Sequence, residues 1–322
     1  MIPTATLIDV HHHAIPPGYR KALAADPIPG VDYPSGWSPE SSLEVMDANG
    51  IAAAILSITA PGVHFAGPEH TPRLASEVND YFAEVIQQYP TRFGAFAVLP
   101  LPDVDAARKE LSRAVDTVGL DGVGLLTSYH NSYLGHPVFE PLFAELAERG
   151  IPVHVHPAVP PTPATETFGV PPSLYEFTFE TTRTVVSLLF NGVLDRLPKL
   201  KLILSHAGGT LPFLARRLTY GPLNAAELAN RPPADLIASL RRLYYDIAMS
   251  ANEFALPSLT ALADTDHVLF GTDYPFMPAS HTPENVAGLA GFPGWNAEER
   301  TQIGHRNALR LFPELAMRIY RA

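Results

Sequence analysis

Short runs of apolar residues recur along the chain, and each is followed by a longer stretch whose apolar positions fall three and four apart. The runs Thr6–Val10, Ala52–Ser57, Phe93–Leu99, Gly122–Leu126, Pro152–His156, Leu200–Ser205, Leu243–Ile247 and His267–Gly271 read as eight strands. Helices are expected between them. Pro39–Asn49 has Ser38 as its N-cap and stops at Gly50. Pro72–Tyr89 ends before Pro90, and Asp103–Val118, Pro137–Arg149 and Leu174–Arg196 continue the alternation.

Strict alternation of nearly continuous apolar strands with helices calls for a parallel sheet covered by helices, either open and doubly wound or closed. From His11 to Asp273 the seven strand-to-strand steps average about 37 residues, enough for the roughly 30 that a βαβ crossover needs. Eight such units favour closure, so the expected fold is α/β, a (β/α)8 TIM barrel. No linker, composition shift, repeat or low-complexity tract divides the chain, which predicts one domain over residues 1–322. The helices after Gly291 are expected to form a C-terminal helical addition packed on the barrel.

Composition changes this picture only at its edges. With 46% hydrophobic and 17% charged residues the chain has the makings of a sizeable core. Its net charge of -11 is spread out, and no Lys/Arg run reaches the density of a nucleic-acid or anionic-membrane surface. No apolar stretch approaches 18 residues and no signal-peptide pattern opens the chain, so no membrane association and a cytoplasmic location are expected. The absence of cysteine excludes disulfides and thiolate chemistry. The 33 prolines point to many stiff loops.

The chemistry lies where the strands end. Asp9-Val10-His11-His12-His13, His154-Val155-His156-Pro157, Ser205-His206-Ala207-Gly208-Gly209 and Gly271-Thr272-Asp273-Tyr274-Pro275 close strands one, five, six and eight, and in a barrel those ends converge on one mouth. Residues two apart in a strand share a face, so His11 and His13 can present two imidazoles to one ion while His12 points away. His156 is preferred to His154 as a third ligand, because it is the last strand residue and Pro157 then turns the chain; His154 reads as a satisfied interior histidine. With Asp273 this makes a mixed nitrogen and oxygen set for one divalent metal ion, zinc first, with manganese or iron(II) as alternatives. No GxGxxG fingerprint, P-loop or GxSxG elbow is present, and no organic cofactor is expected.

The D-x-H-x-H of strand one, the histidine closing strand five, the Ser-His-Ala-Gly-Gly after strand six and the Gly-Thr-Asp-Tyr-Pro-Phe after strand eight together resemble the amidohydrolase superfamily, in its aminocarboxymuconate-semialdehyde decarboxylase-related branch. Within that branch Trp37-Ser38-Pro39-Glu40, Leu125–Tyr129, His206–Pro212 and Tyr244-Tyr245-Asp246 look most similar to the 6-methylsalicylate decarboxylases. The resemblance implies that His11, His13, His156 and Asp273 hold the metal and that His206 is the adjacent acid or base. Superfamily members with two metals bridge them through a lysine at the end of strand four; Gly122–Thr127 has none, which favours one metal.

The implied reaction is non-oxidative decarboxylation of a small aromatic, salicylate-type or enol carboxylic acid. The proton would come from His206, or from Asp273 acting as a catalytic residue as well as a ligand. A hydrolase or hydratase acting on a lactone, amide or unsaturated acid at the same site is the alternative, and a non-catalytic binding barrel is a third. Trp37, Tyr129 and Phe276 are candidates to stack on a flat substrate. Arg217 stands where related decarboxylases place an arginine that meets the substrate carboxylate, sometimes across a dimer interface, and a homodimer is expected on the same ground. Asp246, at the end of strand seven, reads either as an outer partner of a ligand or as a helix cap.

Overall fold

The computed structural model describes residues 6–26, 33–34, 36–162, 168–225 and 231–321. Eight strands form one parallel sheet in chain order: β1 Leu7–His13, β2 Ile51–Ser57, β3 Phe93–Val98, β4 Gly122–Leu126, β5 Pro152–His156, β6 Lys201–Leu204, β7 Tyr244–Asp246 and β8 Val268–Leu269. The sheet closes on itself. The Val10 N–H donates to Phe270, that of Asp273 to His11 and that of His13 to Tyr274, so pairing with β1 runs on beyond β8. This is the expected (β/α)8 barrel.

Ser38 caps Pro39–Ala48 with a reciprocal bond to Ser41, and Gly50 follows in a left-handed conformation, as the sequence predicts. Two helices depart from expectation. The stretch Leu174–Arg196 breaks into Glu176–Phe190 and Val193–Arg196, because Asn191-Gly192 is a turn signal and Gly192 takes a φ of 74°. Asp103 is a cap rather than a helical residue, and after Ser112 the helix widens to π geometry over Arg113–Val118. A short hairpin, Ser128–Tyr129 against Ser132–Tyr133, was not expected. Among the described residues no helix is long and apolar enough to cross a membrane.

Ile8, Val10, Ala53, Ile55, Phe96, Ile203 and Leu269 meet inside the barrel and pack with Leu311, Phe312 and Leu315. The Phe312 ring lies 5.6 Å from that of Phe96. The C-terminal helices therefore plug the N-terminal end of the barrel and complete its core rather than lying on its flank. Arg318 fixes them there through a two-bond contact to Asp121.

β1 carries an irregularity that aims the site. Asp9 pairs with Ala54 and His12 with Leu56, so three steps on β1 oppose two on β2. Val10 and His11 consequently both face inward. Without this bulge, simple alternation would put His11 on the face opposite the inward-pointing Ile8 and Val10.

Candidate active site

The bulge turns His11 and His13 into the barrel mouth, where β5 delivers His156 and the turn after β8 delivers Asp273. His11 Nε2 and His13 Nε2 lie 3.0 Å apart, and Asp273 Oδ1 lies 3.1 Å and 3.0 Å from them. One ligand atom from each of His11, His13, His156 and Asp273 falls within 4.8 Å of all the others. All four residues are buried. His12 points outward, between Asp9 and the Ser42 hydroxyl, as expected.

The other nitrogen of each ring shows what the cluster accepts. His11 Nδ1 donates to Asp246 Oδ2 at 2.9 Å. His156 Nδ1 is 2.8 Å from the Pro157 carbonyl, which only accepts, and 2.8 Å from the Thr59 hydroxyl. His13 Nδ1 meets the Ser57 hydroxyl at 2.9 Å, whose own proton is directed to the His12 carbonyl. With the Nδ1 protons so placed, three Nε2 lone pairs and one carboxylate converge with no donor among them. Such a set fits a divalent cation.

In the cation-free protein a proton takes up part of that role. Burial alone would lower the His11 pKa, but Asp246 and Asp273 on either side outweigh it and push it up to about 10. Burial brings His13 down to about 4, and burial with the neighbouring histidines holds His156 well below its usual range. For Asp273 burial works the other way, yet the hydrogen bond and positive charge of protonated His11 beside it keep its pKa well below that of an ordinary carboxylate.

His206 stands beside the cluster, its Nε2 3.7 Å from Asp273 Oδ2, beyond hydrogen-bond reach. Neither ring nitrogen has a partner among the described residues, although the side chain is buried. His206, Ala207 and Asp273 all take positive φ, of 56°, 56° and 64°, a strained backbone that marks functional sites. His154 is not the fully satisfied interior residue the sequence suggests. Its Nε2 meets Asp246 and Ser205, its ring stacks on Phe96, and its Nδ1 has no partner among the described residues.

The aromatic candidates separate. Phe276 packs edge-on against His13 at 5.3 Å, beside the cluster. Tyr129 lines a small apolar cavity next to His156 with Ile58, Val63, Val98 and Leu126, and its hydroxyl accepts from the Leu126 N–H. Trp37 is a packing residue: its ring is buried and its N–H donates to Ser42, the partner of the outward-facing His12. Arg217 lies on the exposed face of helix Leu211–Leu218, with no hydrogen bond or ion pair from its side chain among the described residues. A separate cavity of about 350 Å³, lined by Tyr133, Glu176 and Arg183, holds none of the clustered donors.

Sequence reasoning missed Ser57, Thr59 and Phe177. Ser57 and Thr59 are polar residues two apart at the end of an apolar strand, a signal that was available. Phe177 sits 6.1 Å from the His156 ring and had no distinguishing mark inside its helix.

A family model described as amidohydrolase matches residues 8–313. The chain is 39% identical to decarboxylase yanB of Aspergillus niger, covering 96% of this chain and 88% of that one. It is 36% identical to a 6-methylsalicylic acid decarboxylase of Penicillium expansum, covering 96% of each. Among solved structures, a 2,6-dihydroxybenzoate decarboxylase complexed with 2,6-dihydroxybenzoate superposes with a TM-score of 0.80 at 26% identity, over 96% of this chain and 99% of the other.

Proposed function

The chain belongs to the amidohydrolase family, and within it we propose a metal-dependent carboxy-lyase that removes carbon dioxide, without oxidation, from a small aromatic acid of the salicylate type. The observation that carries this is the pairing of a donor-free His11/His13/His156/Asp273 cluster with a buried, partnerless His206 beside it. The decarboxylase relatives, one of them named for 6-methylsalicylic acid, support the substrate class.

His11, His13, His156 and Asp273 would hold a divalent ion, which would supply a positive charge to offset that of the acid's carboxylate. Three imidazoles and a carboxylate suit zinc, and manganese accommodates the same set. Phe276 and Phe177 flank His13 and His156 and offer ring faces or edges to a flat substrate. The apolar cavity of Ile58, Val63 and Leu126, only about 20 Å³, borders His156 and gives that side of the site an apolar wall. His206 holds the proton that passes to the ring carbon bearing the carboxylate. The ring-to-carboxyl bond then breaks, its electron pair restores the aromatic ring, and carbon dioxide leaves with net uptake of one proton. The partner of the chain would be a second copy of itself, with Arg217 contributing to carboxylate binding in the assembled homodimer.

The test is carbon dioxide release from 6-methylsalicylate and 2,6-dihydroxybenzoate, with elemental analysis of the same sample. About one ion per chain is expected, together with release that a chelator abolishes. His206→Asn should lower kcat by about 10²-fold or more while the ion stays bound. Hydrolysis of lactones or amides without carbon dioxide release would replace decarboxylation by the hydrolase reading.

A further inference from the structure

Asp246 is fully buried at the end of β7 and receives four hydrogen bonds. Oδ2 accepts from His11 Nδ1 at 2.9 Å and His154 Nε2 at 3.1 Å, and Oδ1 accepts from the backbone N–H of His206 at 3.0 Å and of Ala248 at 3.1 Å. Four donors fill the four acceptor positions of a carboxylate. The grouping of His11, His154 and Asp246 is also tight enough to suggest a second ion, but every acceptor position of Asp246 is already filled by a donor, so the carboxylate has none left to bind one.

The outer partners of the three clustered histidines are unequal. His13 leans on the Ser57 hydroxyl and His156 on the Thr59 hydroxyl and a carbonyl; only His11 leans on a carboxylate. We propose that Asp246 is the positioning residue of the site, keeping His11 in the tautomer whose Nε2 is bare and, with its other oxygen, anchoring the left-handed backbone at His206. One side chain thus sets both ion affinity and the place of the proton carrier. The inference rests on the proposed metal site, not on the identity of the acid.

Replacement by asparagine tests this directly. Two of the four donors are backbone N–H groups that cannot turn into acceptors, whereas an imidazole can move its proton. The amide oxygen therefore settles toward His206 and Ala248, and its NH2 faces His11 and His154. His154 has a partnerless Nδ1 to take its proton; His11 must move its own to Nε2, where it blocks the ion.

Zinc affinity is measured by competition with a chromophoric chelator for the wild type, Asp246→Asn, Ser57→Ala and Thr59→Val, with circular dichroism to check folding. A folded Asp246→Asn that binds zinc about 10 to 100-fold more weakly, and more weakly than either hydroxyl variant, is the expected result. A folded Asp246→Asn within about threefold of wild type would overturn the proposal. If that variant does not fold, nitrogen-15 histidine spectra of the zinc-loaded wild type decide: a His11 proton on Nδ1 supports the assignment and one on Nε2 overturns it. If the wild type itself binds no zinc or manganese, the metal-site reading fails instead, an outcome distinct from these.

Discussion

His11 stands between Asp246 and Asp273, and that position governs how the cluster takes up an ion. Its pKa is pushed up to about 10, whereas His13 is brought down to about 4 and His156 lies well below its usual range. Of these three rings, only His11 therefore carries a second proton between roughly pH 5 and 9, and a ligand nitrogen must lose its proton to bind. A divalent ion entering at pH 7.5 should release about one proton, and affinity should rise about tenfold per pH unit across that window. Calorimetric titration in two buffers of different ionisation heat measures the release directly. A value near zero, or an affinity flat with pH, would contradict the charge arrangement. At this scale the sequence was legible wherever residue type and strand position coincide, as at His11, His13, His156 and Asp273. It was illegible for Trp37, since a loop aromatic offered to a ligand and one turned into packing are written identically.

Gly271 shows how an element carries the site. A Cβ built there would lie 2.8 Å from the Cβ of His11 and 3.2 Å from that of Ala248, so β1 and the chain after β8 approach as closely as they do because this position has no side chain. Gly271→Ala should cost about 1–3 kcal/mol through overpacking and should weaken ion binding as well, because the strand that must yield is the one bearing His11. Gly291→Ala, where a Cβ meets nothing within 4 Å, is the control and should leave the calorimetric midpoint unchanged. A Gly271→Ala protein with wild-type melting and wild-type zinc affinity would show that the contact is slack. All eight strands could be placed from their apolar runs, because buried parallel strands need such runs. The bulge in β1 could not. Alternation from Ile8 and Val10 places His12 inside, and only pairing with β2, a long-range fact, moves His11 and His13 there instead.

Among the described residues, three of the most exposed large apolar side chains stand on or beside the helix Leu211–Leu218. On the helix Leu211–Leu218 Phe213 is 82% exposed, on the short helix Gly221–Asn224 Leu223 is 81% exposed, and just before the adjoining helix Leu256–Leu262 Phe254 is 85% exposed. The sequence could not disclose this, since apolar residues such as Phe213 and Leu223 carry no mark of exposure until the barrel shows which face is left over. Large side chains grouped at this exposure mark an association surface, and a second copy of the chain, paired two-fold, is the proposed occupant. Each copy carries a net charge of -11, so repulsion opposes pairing and added salt should strengthen it by screening. Light scattering should give a mass about twice the 34.9 kDa of one chain. The double variant Phe213→Asp/Leu223→Asp should be monomeric, because it sets four carboxylates facing one another in the pair. Arg217, exposed on the same helix and without a partner among the described residues, supplies the second half of the test. Its replacement by alanine should leave the melting midpoint unchanged, yet raise KM in the dimer if pairing carries its charge to the substrate of the other copy. A wild type that scatters as a monomer, or an Arg217→Ala enzyme with unaltered KM, would confine the site to the residues of one chain.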